Sequence, residues 1–244
     1  MKKPDKKHLE KWHEFATEAE FNLALASALI SQLRDLLSRQ NHVLLAVSGG
    51  KSPRALMQTL STADLDWSRV TIQWVDERLL SRGHVNSNSV LIETNLLQHH
   101  AAQAQWQPLL PVINPNDAPR ELTETERMTV LQAALQAYQR PDVVVLGMGE
   151  DGHTASLFAH AEQLAAGIDL DNATPLLLLQ PPAAPYWRIS MTLAAIVSAK
   201  SIYIAAFGAP KRKVLQQAAQ QADVNLPISL VLHHSQGIPV HVYC

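Results

Sequence analysis

The chain predicts an α/β protein with a mostly parallel central sheet and helices on both faces. Two observations carry this. The runs Val43–Val47, Val143–Leu146 and Ile202–Phe207 are short, apolar and without alternation, as strands buried on both faces are. Helical patterns fall between them, and alternating strands and helices build a parallel sheet covered on both sides. A third observation concerns chemistry. Gly147-Met148-Gly149-Glu150-Asp151-Gly152-His153 follows one of those runs directly. A turn needs its glycines, but it does not need an acid and an imidazole, and the carboxyl end of a buried strand is where such folds keep reactive groups.

The elements follow in order. Residues 16–39 keep roughly helical spacing of apolar side chains through Phe21, Leu23, Leu25, Leu29, Ile30, Leu33, Leu36 and Leu37. Val43–Val47 is a buried strand, Ser48-Gly49-Gly50 a tight turn, and Pro53 suits the first turn of a helix reaching about Leu60. Val70–Val75 is a second strand that ends in Asp76-Glu77-Arg78, and a polar loop leads to a helix near 87–98. Pro108, Pro111, Pro115 and Pro119 mark residues 106–120 as a connector, too short to separate two cores, so residues 1–244 are read as one domain. A helix over 121–138 precedes the Val143 strand. Leu176–Leu179 is a short apolar run, Thr192–Ala199 is helical, and a helix over 211–221 follows the Ile202 strand. Ile228–Leu232 and Val240–Tyr243 are expected as late strands.

Composition narrows the function. A hydrophobic fraction of 47% with 17% charged residues is that of a soluble globular protein. A formal net charge of −2 favours neither nucleic acid nor an anionic membrane as partner. No apolar signal core follows the N-terminal lysines and no run has transmembrane length, so a cytoplasmic location is expected. The single cysteine, Cys244, allows no internal disulfide. His99-His100 and His233-His234 are adjacent pairs that point apart, and no HExxH or CxxC spacing exists, so no metal is expected.

Four segments carry candidate chemistry. Ser48-Gly49-Gly50 follows a strand and opens a helix, which makes it a natural phosphate cradle. It is not a nucleotide P-loop, because the first glycine of that pattern falls on Leu45. Gly147-x-Gly149-x-x-Gly152 matches the dinucleotide fingerprint in letters, but His153 stands where that motif enters a helix with small apolar residues. Asp76 and Arg78 have the period-two spacing that puts both on one side of a strand end. The alternative there is an ordinary solvated charge cluster. Arg188 is ambiguous alone, and Lys211 opposes the dipole of the helix it starts, which suits a lysine meant to meet a phosphate.

Taken together, these segments resemble the 6-phosphogluconolactonases of the glucosamine/galactosamine-6-phosphate isomerase superfamily. The resemblance rests on Ser48-Gly49-Gly50, Asp76-Glu77-Arg78, His84 with Ser87-Asn88, the block Gly147–Phe158, Pro185–Thr192 and Gly208–Lys211, in the family's order. The Gly147–Phe158 block is the most specific. Ser81, Asn86 and Ala159 depart from the usual pattern and touch loop shape. The resemblance implies a modified Rossmann-like fold of the sugar-phosphate isomerase type. It also implies hydrolysis of 6-phospho-D-glucono-1,5-lactone to 6-phospho-D-gluconate in the oxidative pentose phosphate pathway.

The residue types fit that chemistry. A neutral His153 can activate water near pH 7, and Asp151 can hold its tautomer. Arg78 suits a developing oxyanion. Ser48, Gly49, Gly50, Arg188 and Lys211, with Asp76, suit a distal phosphate and the sugar. No cofactor is called for, a small sugar-phosphate lactone is the expected partner, and a monomer is expected. Two alternatives share the scaffold. A glucosamine-6-phosphate deaminase-like isomerase would carry a different block after the glycine turn. A non-catalytic sugar-phosphate sensor would need an N-terminal helix-turn-helix, for which residues 1–40 leave no room.

Overall fold

The computed structural model describes residues 11–50, 53–80, 84–108, 122–182, 184–235 and 237–244. Lys51, Ser52, Ser81, three of the connector prolines (Pro111, Pro115, Pro119) and the N-terminal lysines lie outside them.

The elements are β1 (Lys11–His13), α1 (Glu18–Arg39), β2 (Val43–Val47), α2 (Arg54–Ser61), β3 (Val70–Trp74), β4 (Asp76–Arg78), α3 (Asn88–Asn95), β5 (Gln105–Trp106) and α4 (Glu124–Ala137). They continue with β6 (Val143–Gly147), α5 (Leu164–Ile168), β7 (Leu176–Leu179), β8 (Arg188–Met191), α6 (Leu193–Ile196), β9 (Ser201–Ala205), α7 (Ala209–Ala218), α8 (Pro227–His233) and β10 (Val240–Tyr243).

Seven strands form one sheet in the order β1-β10-β9-β6-β2-β3-β5, and every pairing in it is parallel. Its central strands are mostly apolar and buried along their length, which requires cover on both faces. The chain runs outward from β2 through β3 to β5, and outward in the other direction from β6 through β9 to β10. Right-handed crossovers that leave in opposite directions carry their helices to opposite faces. The order therefore reverses between β2 and β6, and the crevice beyond their carboxyl ends is the place such a sheet offers a ligand.

The helices show how local signals start them. α1 begins at a capping box in which the Thr17 side chain accepts from Glu20 N and Glu20 reaches back to Thr17 N. It buries Phe21, Leu25, Leu29, Leu33, Leu36 and Leu37 along one stripe. α4 begins at a second capping box, Thr123 with Glu126. The apolar run Ile228–Leu232, expected as a strand, is part of α8. Pro227 at its first turn provides the helical start, and Pro227–Leu232 are all buried. Four apolar residues with Ser229 among them, all buried, read alike in a strand and in a core helix, so periodicity could not separate them.

A second sheet was not anticipated. The chain leaves the large sheet at Val75, and β4 then pairs antiparallel with β8, which pairs antiparallel with β7. Asp76 faces Ser190, Glu77 faces Ile189 and Arg78 faces Arg188 in register. No helix among the described residues is long and apolar enough to cross a membrane.

Candidate active site

All of the candidate residues except Asp151 line one cavity of about 220 Å³ at the reversal between β2 and β6. Ser48, Gly49 and Gly50 leave the end of β2, and His153 comes from the turn after β6. Arg78 ends β4, Arg188 opens β8, and Lys211 lies in the first turn of α7 after β9. Met148, Ala155, Asn88 and Ala205 complete much of the wall.

The histidine turn is tightly specified. Gly149 N donates to His153 O at 3.0 Å, and Thr154 Oγ1 donates to Gly147 O at 2.8 Å. Asp151, outside the cavity wall, reaches His153 Nδ1 at 2.5 Å through Oδ1. Burial pushes the Asp151 carboxyl up, but the His153 charge and hydrogen bonds outweigh it, and the net shift is downward. An ionised carboxylate only accepts, so Nδ1 must carry the hydrogen, and in the neutral ring Nε2 keeps its lone pair. Phe158 stacks on the imidazole with centroids 4.0 Å apart and fixes its plane. Gly149 is required here, since a Cβ at that position would lie 2.2 Å from His153 Nδ1 and 2.4 Å from Asp151 Oδ1. On the far side, Ile228 N at the start of α8 donates to Gly152 O at 3.0 Å and braces the turn.

The Asp76-Glu77-Arg78 triplet is not a solvated charge cluster. Asp76 is 6% exposed and Glu77 is fully buried. Asp76 Oδ2 accepts from Ser156 Oγ at 2.5 Å and lies 4.0 Å from Arg188 Nη1. Ser156 N in turn donates to Ser190 Oγ on β8 at 3.1 Å. Arg78 donates to Asn86 O, and its side chain stands at the cavity. Asn88 Nδ2 donates to Asp76 O at 2.7 Å, and the amide then packs so closely on Gly49 that a Cβ there would fall 1.9 Å from Oδ1.

Arg188 is 8% exposed, with Cζ 5.1 Å from the Phe158 ring centroid. Burial draws its pKa down, the Asp76 carboxylate opposes this, and the nearby Arg78 charge adds to the lowering. Two buried polar atoms at the cavity, Arg188 Nε and Ser48 Oγ, have no hydrogen-bond partner in the protein. Buried polar groups are nearly always satisfied, so a site that leaves a guanidinium N–H and a hydroxyl open is built for a polar, anionic ligand. Among the described residues, no group of three or more His, Cys, Asp or Glu side chains gathers as a metal site would require.

Sequence reasoning missed Ser156, Ser190, Glu77 and Asn88 as parts of the site. Ser156 lay inside the most specific block, and only the β8 pairing shows what it holds.

A family model described as glucosamine-6-phosphate isomerases/6-phosphogluconolactonase matches residues 16–240. A Neisseria meningitidis protein named 6-phosphogluconolactonase is 41% identical over 232 residues, covering 95% of this chain and 97% of its own. A solved structure from Neisseria gonorrhoeae is 40% identical, with a TM-score of 0.89 over 96% of this chain and 99% of that one. A 6-phosphogluconolactonase structure from Shewanella baltica is 32% identical, with a TM-score of 0.85 over 96% of both chains. The matched span encloses every candidate residue from Ser48 to Lys211, and the chain belongs to the glucosamine-6-phosphate isomerase/6-phosphogluconolactonase family.

Proposed function

We propose that the chain hydrolyses 6-phospho-D-glucono-1,5-lactone to 6-phospho-D-gluconate, the second step of the oxidative pentose phosphate pathway. One observation carries the reading: an Asp151–His153 pair at 2.5 Å borders the same cavity as Arg78, Arg188 and Lys211. A base and a cluster of cations in one crevice suit an ester that carries a distal phosphate. The relatives named as lactonases support the substrate.

In this reaction His153 Nε2 takes a proton from water as the oxygen attacks C1 of the lactone. Charge moves to the carbonyl oxygen, where the Arg78 guanidinium gains strength as the charge develops. Collapse breaks the bond from C1 to the ring oxygen, and the imidazolium returns its proton to that leaving oxygen. The new acid loses its remaining proton to solvent. Asp151 keeps the ring in the required tautomer and stabilises the imidazolium. Ser48, Gly49, Gly50, Arg188 and Lys211 hold the phosphate, and Asp76 holds Arg188 in place. Anchoring the far end orients C1 toward His153. The sequence calls for no cofactor, and neither does this chemistry.

The test is hydrolysis of freshly generated lactone by the purified chain, with the spontaneous rate subtracted. A rate well above buffer is expected with the phosphorylated lactone and a poor one with plain gluconolactone. A chain that leaves the spontaneous rate unchanged would refute the proposal, and equal turnover of both lactones would remove the phosphate cradle from it.

A further inference from the structure

We infer that Glu77 is a further positioning residue of the site. It locks the β4 strand to the first turn of α3, and through that joint it sets where Arg78 and Asn88 stand at the cavity. The inference deepens the proposed lactone hydrolysis and rests on it.

Glu77 is fully buried and does not line the cavity, so it touches no ligand there. Its two oxygens accept five hydrogen bonds. Oε1 takes Arg78 N at 2.7 Å and Asn88 N at 2.8 Å. Oε2 takes Ser87 Oγ at 2.8 Å, Ser89 N at 2.6 Å and Ser89 Oγ at 2.7 Å. Burial pushes its pKa up and the bonds to Asn88, Ser89 and Ser87 oppose that rise. Glu77 pairs in register with Ile189, a position where an apolar side chain would pack without any such compensation.

Every partner belongs to the strand or the loop that carries a cavity residue. Arg78 follows Glu77 directly, and its guanidinium donates to Asn86 O on the same loop that Glu77 holds. Asn88 is both a Glu77 partner and a cavity residue. The charge matters as well. Arg78 and Arg188 face each other across β4 and β8, a like-charge pairing that is unfavourable by itself. The Glu77 carboxylate counters that charge at Arg188, as Asp76 does more strongly.

A double-mutant cycle on the full chain separates positioning from mere folding. Glu77→Gln keeps the shape but turns an amide N–H₂ toward donors. We expect kcat for the phosphorylated lactone to fall about 10- to 100-fold while KM moves less than about threefold, the scale seen when supporting hydrogen bonds are lost. In an Arg78→Ala background, Glu77→Gln should cost at most about threefold further kcat, the part carried by Asn88, because most of its effect runs through Arg78. Wild-type kcat in Glu77→Gln would overturn the inference, and so would losses that multiply in the double variant. If Glu77→Gln does not fold, Ser87→Ala/Ser89→Ala removes two donors and leaves the carboxylate. That variant should lower kcat several-fold, and a lowered Tm with unchanged kcat would overturn the inference. A wild-type chain without lactonase activity refutes the proposed function itself, whereas an active wild type with an indifferent Glu77 refutes only this inference.

Discussion

The two sheets divide the work of the molecule unequally. The large parallel sheet is made of apolar strands such as Val43–Val47, and it contributes only its ends: the Ser48 turn, the His153 turn and the start of α7. The small antiparallel sheet does the reverse. Its strands β4 and β8 carry charged residues that are largely buried, and they contribute their own side chains, Asp76, Arg78 and Arg188. One sheet supplies a rigid rim by burying hydrocarbon. The other brings charge inside and stays stable only because each charge is met by a partner. Changes at the rim should therefore act on the reaction alone, while changes in the small sheet should touch reaction and stability together.

His153 gives the largest effect. His153→Ala should lower kcat by about 10²–10⁴ with the fold intact, the usual worth of a positioned base. Steady-state kinetics decide this, and a variant with wild-type turnover would remove His153 from its role.

Arg78 comes next, and it probes the small sheet. Arg78→Ala should lower kcat by about 10²–10³ and raise KM less, as the loss of an oxyanion donor does. Arg78→Lys should recover only part, for want of the planar fork. A drop in Tm with kcat preserved would make Arg78 a purely structural member of that sheet.

Arg188 and Lys211 sharpen the comparison through binding. Either change to Ala should raise KM about tenfold or more, since a charged hydrogen bond is worth about 1.5–3 kcal/mol. The two should part in thermal melts. Arg188→Ala leaves the buried Asp76 carboxylate without the guanidinium 4.0 Å away and should lower Tm as well as raise KM, whereas the KM effect is the one expected of Lys211→Ala, in the first turn of the helix after β9.

The smallest effect concerns acid stability. Asp151 has a carboxyl pKa below its ordinary value, so its contribution is present above the usual carboxylate range and disappears as pH falls through the lowered value. Melts of wild type and Asp151→Asn between about pH 6 and about pH 3 should converge at the acid end. The gap at the upper end should be small, because the Asp151 side chain is 62% exposed. A gap that widens with acid would contradict the pairing.

The parallel sheet was legible because burial on both faces leaves a signature in consecutive residues. Val43–Val47 and Val143–Leu146 are short apolar runs, and the glycines just after them, absent just after Ile228–Leu232, marked them as strands and showed where the chain turns. The small sheet was illegible because its strands are three and four residues long, β4 wholly charged and β8 mixed, with only Leu176–Leu179 of β7 standing out as an apolar run. Their stability comes from partners distant in sequence, such as Ser156 for Asp76 and Ser87 for Glu77. No local pattern records such pairings. Arg188 was for that reason ambiguous until β8 set it opposite Arg78. The letters Gly-x-Gly-x-x-Gly show the same limit in another way. Gly149 is there to admit the Asp151–His153 pair and not a pyrophosphate, a distinction visible only once the side chains are placed.

The facing arginines also have a consequence for turnover. In the proposed reaction a ligand enters with its charge on the phosphate alone and leaves with a carboxylate added. Arg78 and Arg188, held opposite each other, therefore attract the product more strongly than the substrate. The device that draws an anion in resists letting a more highly charged one out, and dissolved salt, by screening both, weakens capture while it hastens release.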